Sequence, residues 1–221
     1  GSADLAFADM DVDGRLDLVT VDSIYDELIV WTGNGDGSFG AIAVAEDWGE
    51  FIPAALAVGD LDGDGLPDVA VANFGDDSVT LGLSAGQPLP HGNTTTLPAG
   101  NRPNGVAVDD LDLDGDLDVA VSNGDSNDLT VWLGEGDGSF LTSLTTDAMG
   151  QGPRDVATAD FDLDGSPDVV VATASTDRVR VRPGLNWSRD DSSVMSGRIR
   201  ISRGKRLMTP PRLPWLPHRR H

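Results

Sequence analysis

The sequence predicts an all-β fold made of four similar repeats. Three observations support this prediction: an acidic pattern that returns at a fixed interval, short apolar runs on both sides of each copy, and glycine-rich turns. The acidic pattern begins at Asp9, Asp60, Asp110 and Asp160, so the chain repeats every 50 or 51 residues. A period of that size is typical of architectures in which each copy forms one supersecondary unit.

Two strands are predicted to flank each acidic pattern. The run before it is short and apolar, at residues 5–8, 56–59, 106–109 and 156–159. A proline at position 53, 103 or 153 can open that strand in the later repeats. The run after it is almost continuously apolar (LDLVTV, PDVAVA, LDVAVS and PDVVVA), which predicts a strand buried on both faces.

Two further strands complete each predicted unit. A third apolar run follows at 28–31, 79–83, 129–133 and 179–182, and a fourth strand is predicted near 40–45, 93–97 and 141–146. Asn-Gly and Asp-Gly steps at 33–39 and 134–140 predict hairpins between these strands. Four antiparallel strands in about 50 residues is the size of one propeller blade. The predicted fold is therefore a β-propeller, or part of one.

The acidic pattern itself predicts a calcium site in each repeat. Aspartate stands at loop positions 1, 3, 5 and 9, and glycine at position 6 allows the positive φ with which the chain folds back around an ion. Several carboxylates converging on one point suit Ca²⁺, which takes six to eight oxygen ligands. We therefore expect about four Ca²⁺ ions, one per loop. The predicted carboxylate ligands are Asp9, Asp11, Asp13 and Asp17; Asp60, Asp62, Asp64 and Asp68; Asp110, Asp112, Asp114 and Asp118; and Asp160, Asp162, Asp164 and Asp168. Backbone carbonyls at position 7 are predicted as further donors, in Arg15, Leu66, Asp116 and Ser166.

The alternative is that these residues only form turns, in which aspartate and glycine are common. Four like charges crowded into each loop would then raise their pKa values and cost stability without a cation. The loops also differ from EF-hand loops, which carry a bidentate glutamate at position 12 between two helices. Position 12 here is Thr20, Val71, Val121 or Val171, within strand-like runs. We interpret the loops as calcium sites between strands.

The chain resembles the FG-GAP/VCBS repeat family, whose calcium-binding blades occur in integrin α-subunit propellers and many bacterial surface proteins. The resemblance covers residues 3–184 and rests on the aspartate loops, the PDVAVAN strand and the GNGDGSF turn, in which Phe39-Gly40 matches the family name. It implies calcium bound between the first and second strands of each blade, by Asp9, Asp11, Asp13, Asp17 and their equivalents. The second repeat departs from the pattern, because SAGQPLP replaces the hairpin and no Gly-Ala-Pro follows.

The predicted domain is residues 1–184, with repeats at about 2–52, 53–102, 103–152 and 153–184, the last of them incomplete. Residues 185–221 lack the repeat pattern and carry 9 basic and 2 acidic residues, against 6 basic and 35 acidic in residues 1–182. Composition rich in Arg, Pro and Ser without periodicity predicts disorder. Two interpretations of this tail stay open: a basic arm for anionic partners, and a degenerate end.

Composition bounds the function classes. The net charge is −22, and the loop aspartates account for more than half of the repeat region's excess, so no nucleic-acid partner is needed to explain it. No apolar run is long enough to span a membrane. The chain has no cysteine, which leaves calcium as the predicted substitute for disulfide bonds. Millimolar calcium outside cells can fill even weak sites, so we predict an extracellular or cell-surface location.

The predicted function is a calcium-binding module for adhesion or protein recognition, with calcium as a structural ion. The alternatives are a carbohydrate-binding propeller and an accessory domain of a secreted hydrolase. No catalytic role is predicted, because the aspartates obey the repeat instead of breaking its symmetry and the chain has three histidines and no cysteine.

An extracellular protein or glycan is the predicted partner, and self-association through open blade edges is a further prediction. Recognition is expected in the connections that vary between repeats, at 22–27, 46–52, 73–78, 98–102, 123–127 and 147–152, with Trp48, Phe51, Phe74 and Arg102 as candidate contacts. Trp31 and Trp132 share one repeat position and are predicted to pack between blades.

Overall fold

The structure is a computed structural model that describes residues 2–47, 52–84, 94–147, 150–174 and 178–182. This part of the chain contains strands and no helix, in agreement with the predicted all-β class. The predicted tail, residues 185–221, lies outside the described residues, as do Trp48 and Phe51. No helix among the described residues is long and apolar enough to cross a membrane.

Four antiparallel sheets follow one another along the chain, each a simple meander of consecutive strands. The first sheet contains β1 (Ser2–Ala8), β2 (Asp17–Asp22), β3 (Glu27–Gly33) and β4 (Phe39–Asp47). The second contains β5 (Pro53–Gly59), β6 (Asp68–Asn73), β7 (Ser78–Gly82) and β8 (Thr94–Pro98). The third contains β9 (Pro103–Asp109), β10 (Asp118–Asn123), β11 (Asp128–Gly134) and β12 (Phe140–Asp147). The fourth contains β13 (Pro153–Ala159), β14 (Asp168–Thr173) and β15 (Arg178–Arg182). The predicted order of strands is confirmed, and Pro53, Pro103 and Pro153 each begin a strand.

The sheets stack face to face, so that a central sheet is covered on both sides. Strand β6 illustrates the cause: Val69 and Val71 face the core shared with the first sheet, whereas Ala70 and Ala72 face the third. Alternate residues of a strand point to opposite faces, so a strand between two neighbours must be apolar at every position. All six residues of β6 and of β10 are buried, as the continuous apolar runs predicted.

Three hydrophobic cores result, one between each pair of consecutive sheets. Position 2 of the first three acidic loops contributes a side chain to each core: Met10, Leu61 and Leu111 are at most 1% exposed. Trp132 packs against the core between the second and third sheets, and its indole Nε1 donates to the Pro98 carbonyl at 3.0 Å. The predicted packing between blades is confirmed for this tryptophan.

Hydrogen bonds across consecutive sheets form a repeated clasp that the sequence analysis missed. The side-chain oxygens of Asp26, Asp77 and Asn127 accept the backbone N–H groups of Ile52, Arg102 and Gly152, at 2.9, 2.8 and 2.6 Å. The backbone carbonyls of Ile52, Arg102 and Gly152 in turn accept the N–H groups of Phe74, Gly124 and Ala174, at 2.8–3.0 Å. The sequence does contain a signal for this clasp, because an aspartate or asparagine recurs 17 positions after the first aspartate of each loop.

The first strands of consecutive sheets contact one another, so β1, β5, β9 and β13 line the same side of the stack. The four sheets do not close into a ring in the described part of the chain. The architecture is therefore an open arc of propeller-like blades, and the first and fourth sheets each keep one face without a neighbouring sheet.

Candidate metal centres

Each acidic loop connects the first and second strands of its sheet, where the sequence places it. Gly14, Gly65, Gly115 and Gly165 at position 6 have φ values of 86–99°, as predicted. Position 4 is left-handed as well, at Val12, Leu113 and Leu163 in three loops and at Gly63 in the fourth. A β-branched or bulky side chain seldom adopts this conformation. The backbone is therefore strained at position 4 in the three loops that carry Val or Leu there. Only Gly63 is a residue type that indicates this conformation from the sequence.

Carboxylates converge in all four loops. Three carboxylate oxygens lie within 4.8 Å of one another in each loop, in four groups: Asp9, Asp11 and Asp13; Asp60, Asp62 and Asp68; Asp110, Asp112 and Asp118; and Asp160, Asp162 and Asp168. The predicted ligand at position 5 lies outside the group in the last three loops, at Asp64, Asp114 and Asp164. In the first loop Asp13 belongs to the group and Asp17 does not.

The position-9 aspartate is buried and tied to the backbone. Asp118 is fully buried; its Oδ2 accepts the N–H of Leu111 at 2.8 Å and its Oδ1 accepts the N–H of Gly134 at 2.9 Å. Asp17 makes the same pair of bonds to Met10 and Gly33. This carboxylate therefore links the loop to the end of the third strand, a structural role that the sequence analysis did not assign.

Position-1 aspartates hold the turn of each loop from the inside. In the first loop Asp9 accepts the N–H groups of Asp13 and Gly14, both at 2.9 Å. Asp110 and Asp160 repeat both bonds in the third and fourth loops. These contacts organise the carboxylates before any ion is bound.

Two carboxylate oxygens in the loops are buried without a hydrogen-bond partner, namely Oδ1 of Asp60 and Oδ1 of Asp112. A buried polar atom without a partner is costly, and most such atoms in proteins are satisfied by a protein group, water or an ion. Both atoms belong to residues of the converging groups. The loops therefore fit a cation that would take these oxygens as ligands.

The residues at position 7 share one backbone contact, and Arg15 in the first loop adds side-chain contacts to it. Their N–H groups all donate to the position-5 carboxylate, at 2.9–3.0 Å, in the pairs Arg15–Asp13, Leu66–Asp64, Asp116–Asp114 and Ser166–Asp164. The Arg15 guanidinium also pairs with Asp13 and donates from Nε to the Gly33 carbonyl at 2.9 Å. The first loop thus contains a cationic side chain beside a predicted ligand, and its site differs from the other three.

Burial, together with repulsion between carboxylates, raises the pKa of six carboxyl groups in the loops. Burial, followed by neighbouring carboxylates, raises the pKa of Asp11 and of Asp162, and burial is also the first cause for Asp62 and Asp112. Burial raises the pKa of Asp68, and it raises the pKa of Asp118 to about 7 despite three backbone N–H donors. The metal-free loops therefore favour protons, which is the behaviour of a site built for a cation.

The pKa shifts predict that calcium and protons compete. An unfolded aspartate titrates near pH 4, so the metal-free folded state retains protons and loses stability as the pH rises from about 4 to about 7. Calcium needs the ionised carboxylates, so its stabilising effect should grow over the same range. We expect the difference in melting temperature between calcium and chelator to increase from about pH 5.5 to about pH 7.5. The Asp118→Asn variant should show a smaller increase, and a difference that stays constant with pH would contradict the assignment.

The fold and the loops together define a class of protein: repeats of propeller-type blades with an acidic, metal-competent loop in each blade. The sequence pattern of the FG-GAP-like repeat matches residues 9–71, 60–121 and 110–171. The chain belongs to the FG-GAP-like repeat family. No curated protein sequence matches it.

Solved structures with a similar fold are larger than this chain. A structure of BBS1N in complex with ARL6DN is 16% identical at a TM-score of 0.51, covering 81% of this chain and 55% of that chain. A streptogramin B lyase is 13% identical at a TM-score of 0.52, with 83% and 54% covered. An Agrocybe aegerita lectin that recognises non-reducing terminal N-acetylglucosamine is 20% identical at a TM-score of 0.53, with 80% and 51% covered. The chain thus spans about half the length of these structures, and the likeness concerns the fold.

Proposed function

We propose that this chain is an extracellular recognition module whose blades are stabilised by four calcium ions. The observation that carries the proposal is that three carboxylates converge in each of the four loops. The aspartates at positions 1 and 3 belong to this group in every loop. A repeated group of this kind supports a structural ion in every blade, because one catalytic or ligand site would not need four copies.

Calcium is the cation that the donors fit best. Every candidate ligand is a carboxylate or carbonyl oxygen, which hard cations prefer, and the loops contain no histidine or cysteine to favour zinc or copper. Partly exposed groups of three carboxylates suit weak sites, with dissociation constants of roughly 10⁻⁴ to 10⁻³ M, which the calcium concentration outside cells can saturate. Sites of this affinity class support the proposed extracellular location.

An ion in a loop would also support the contact between two sheets. The 134–140 hairpin of the third sheet lies against the second loop, since a Cβ at Gly63 would be 2.8 Å from the Gly136 carbonyl oxygen and one at Gly138 would be 3.2 Å from Asp62 Cβ. An ion that orders the second loop would therefore also order the 134–140 hairpin at the edge of the third sheet. This supports calcium as a structural ion that maintains the arc of blades.

Binding, not catalysis, is the proposed activity, with an extracellular protein as the first candidate partner. The variable connections carry candidate contacts, and Arg102 lies over the Phe74 ring at 5.0 Å while its guanidinium is 3.3 Å from a carboxylate oxygen of Asp125. This group, in which Arg102 and Asp125 are exposed and Phe74 is half-buried, joins the second and third sheets on a surface where the repeats differ. Variable side chains on a rigid β scaffold are a usual place for recognition.

Carbohydrate binding is the second candidate, favoured by an open cleft between the third and fourth sheets. Ser126, Asn127, Asp128, Gly150 and Gln151 line it, and such hydroxyl, carboxamide and carboxylate groups can bind sugar hydroxyls. The similar fold of a lectin is compatible with this candidate but is not specific to it. A glycan array separates the two candidates.

Calcium stoichiometry tests the proposal. Titration calorimetry with metal analysis should give four ions per chain, and Asp60→Ala should give three, because Asp60 supplies a buried oxygen without a partner. Asp36→Ala is the matched control: it removes an exposed carboxylate that bonds to Ser38 outside the loops, and four ions should remain. Absence of calcium uptake, or equal uptake by Asp60→Ala and the unmodified chain, would refute the proposal.

A further inference from the structure

The first sheet carries an apolar outer face whose counterparts are buried elsewhere in the chain. Leu5 is 55% exposed, whereas the residues at the same repeat position, Leu56, Val106 and Val156, are 5–6% exposed against the preceding sheet. Phe39 is 38% exposed and stacks on Phe7, which is 55% exposed. Its counterpart in the third repeat, Phe140, is 8% exposed in the core with the second sheet.

The fourth sheet carries the complementary face. Phe161 is 57% exposed, but its counterparts Met10, Leu61 and Leu111 are buried against the following sheet. Val179 and Val181 of β15 are 68% and 47% exposed. The side chains at these two repeat positions in the first three sheets, which are Leu28, Val30, Val79, Leu81, Leu129 and Val131, are all at most 1% exposed.

Among the described residues, neither end of the arc is therefore covered by a further sheet. Terminal units of repeat proteins normally present a polar outer face to water. Here both outer faces keep the side chains with which inner sheets bury one another, so each is an unused half of an interface that the chain already makes three times. The two faces are complementary. The exposed face of the fourth sheet corresponds to the face that contacts a following sheet in the first three repeats. The exposed face of the first sheet corresponds to the face that contacts a preceding sheet in the last three repeats.

We propose that two copies of this chain associate head to tail, with the fourth sheet of each copy packed against the first sheet of the other. A head-to-tail contact that closes after two copies gives a ring of eight sheets, within the usual range of propellers of about four to eight blades. The proposal does not depend on the identity of the ligand or of the metal.

The inter-sheet clasp supports the same contact. Its acceptor position is Asp26, Asp77 and Asn127 in the first three repeats, and the sequence places an aspartate, Asp177, at that position in the fourth. In the three sheets that have a following neighbour, this acceptor binds the chain entering that neighbour. An aspartate at this position of the fourth repeat's sequence is expected if another sheet follows that repeat.

Sedimentation equilibrium of the full chain in millimolar calcium tests the proposal. We expect a dimer, with twice the chain mass of 23.1 kDa, at protein concentrations of roughly 1 to 100 µM. A monomer over this range would overturn the proposal, whether residues 183–221 then cover the fourth sheet or leave it open. A larger, open-ended assembly would overturn it as well, because it would show that the contact does not close.

Two variants and their mixture test the head-to-tail geometry. Phe161→Glu and Leu5→Glu should each halve the measured mass, because each places a charge in one of the two faces. Mixed in equal amounts, they should recover a dimer, since each supplies the face that the other lacks. Leu141→Glu is the control: Leu141 is 73% exposed on the outer strand of the third sheet, and its variant should stay dimeric. A dimer that survives either face variant, or a mixture that stays monomeric, would contradict the assigned contact.

Discussion

Removal of calcium with a chelator is expected to lower the melting temperature of this protein by roughly 5–20 °C. At millimolar calcium, a site with a dissociation constant of about 0.1 to 1 mM stabilises the folded state by about 0.4 to 1.4 kcal/mol. Four such sites give roughly 2 to 6 kcal/mol, and each kcal/mol moves the midpoint of a domain of this size by about 2 to 4 °C. Thermal melting followed by circular dichroism, with calcium and with chelator, measures the shift.

The monomeric Leu5→Glu variant separates this effect from subunit dissociation, because it removes the proposed dimer contact and keeps all four loops. The calcium-dependent shift should persist in that variant. It should be smaller by about one quarter in Asp60→Ala, which loses one of four sites. Equal midpoints with calcium and chelator would show that the loops are not stabilised by the ion.

Leu61→Ala is expected to destabilise the folded state by about 2 to 5 kcal/mol. Leu61 is 1% exposed in the core between the second and third sheets, so its truncation loses apolar contacts and leaves a cavity. Phe161→Ala changes the same repeat position in the fourth sheet, where the side chain is 57% exposed. Its expected cost is under about 1 kcal/mol, because exposed positions contribute little.

Both variants should be compared by urea unfolding in the Leu5→Glu background, so that dimer formation does not bury Phe161. Similar midpoints for the two variants would contradict the assignment of Leu61 to an inter-sheet core and Phe161 to an open face. The comparison holds the repeat position constant, so that only the presence of a following sheet differs.

Much of the architecture could be predicted from local sequence patterns. Aspartate and glycine at fixed loop positions, the prolines at 53, 103 and 153, and the unbroken apolar run of β6 each depend on the backbone of one repeat. Such features recur in every copy, so agreement between copies strengthens a pattern that is weak by itself. The four-stranded meander and the position of the acidic loops followed from these patterns.

Other features of the sites could not be predicted, because they depend on atoms brought together by folding. The left-handed conformation at Val12, Leu113 and Leu163 contradicts the ordinary preference of these residue types. The bond from Gly134 to Asp118 joins atoms 16 residues apart, and it holds the carboxylate within the third loop. Asp17 and Asp118 have the same position in the loop pattern, yet only Asp118 belongs to a converging group.

The sequence by itself determined the repeat, the strand order, the all-β class and the positions of the candidate ligands, because these depend on local periodicity and residue type. Only the tertiary structure decided which apolar side chains are covered. Leu5 and Leu56 occupy equivalent positions in similar strands, yet Leu5 is 55% exposed and Leu56 is 6% exposed. Burial depends on whether a neighbouring sheet is present, and within the chain that neighbour comes from a segment about 50 residues away.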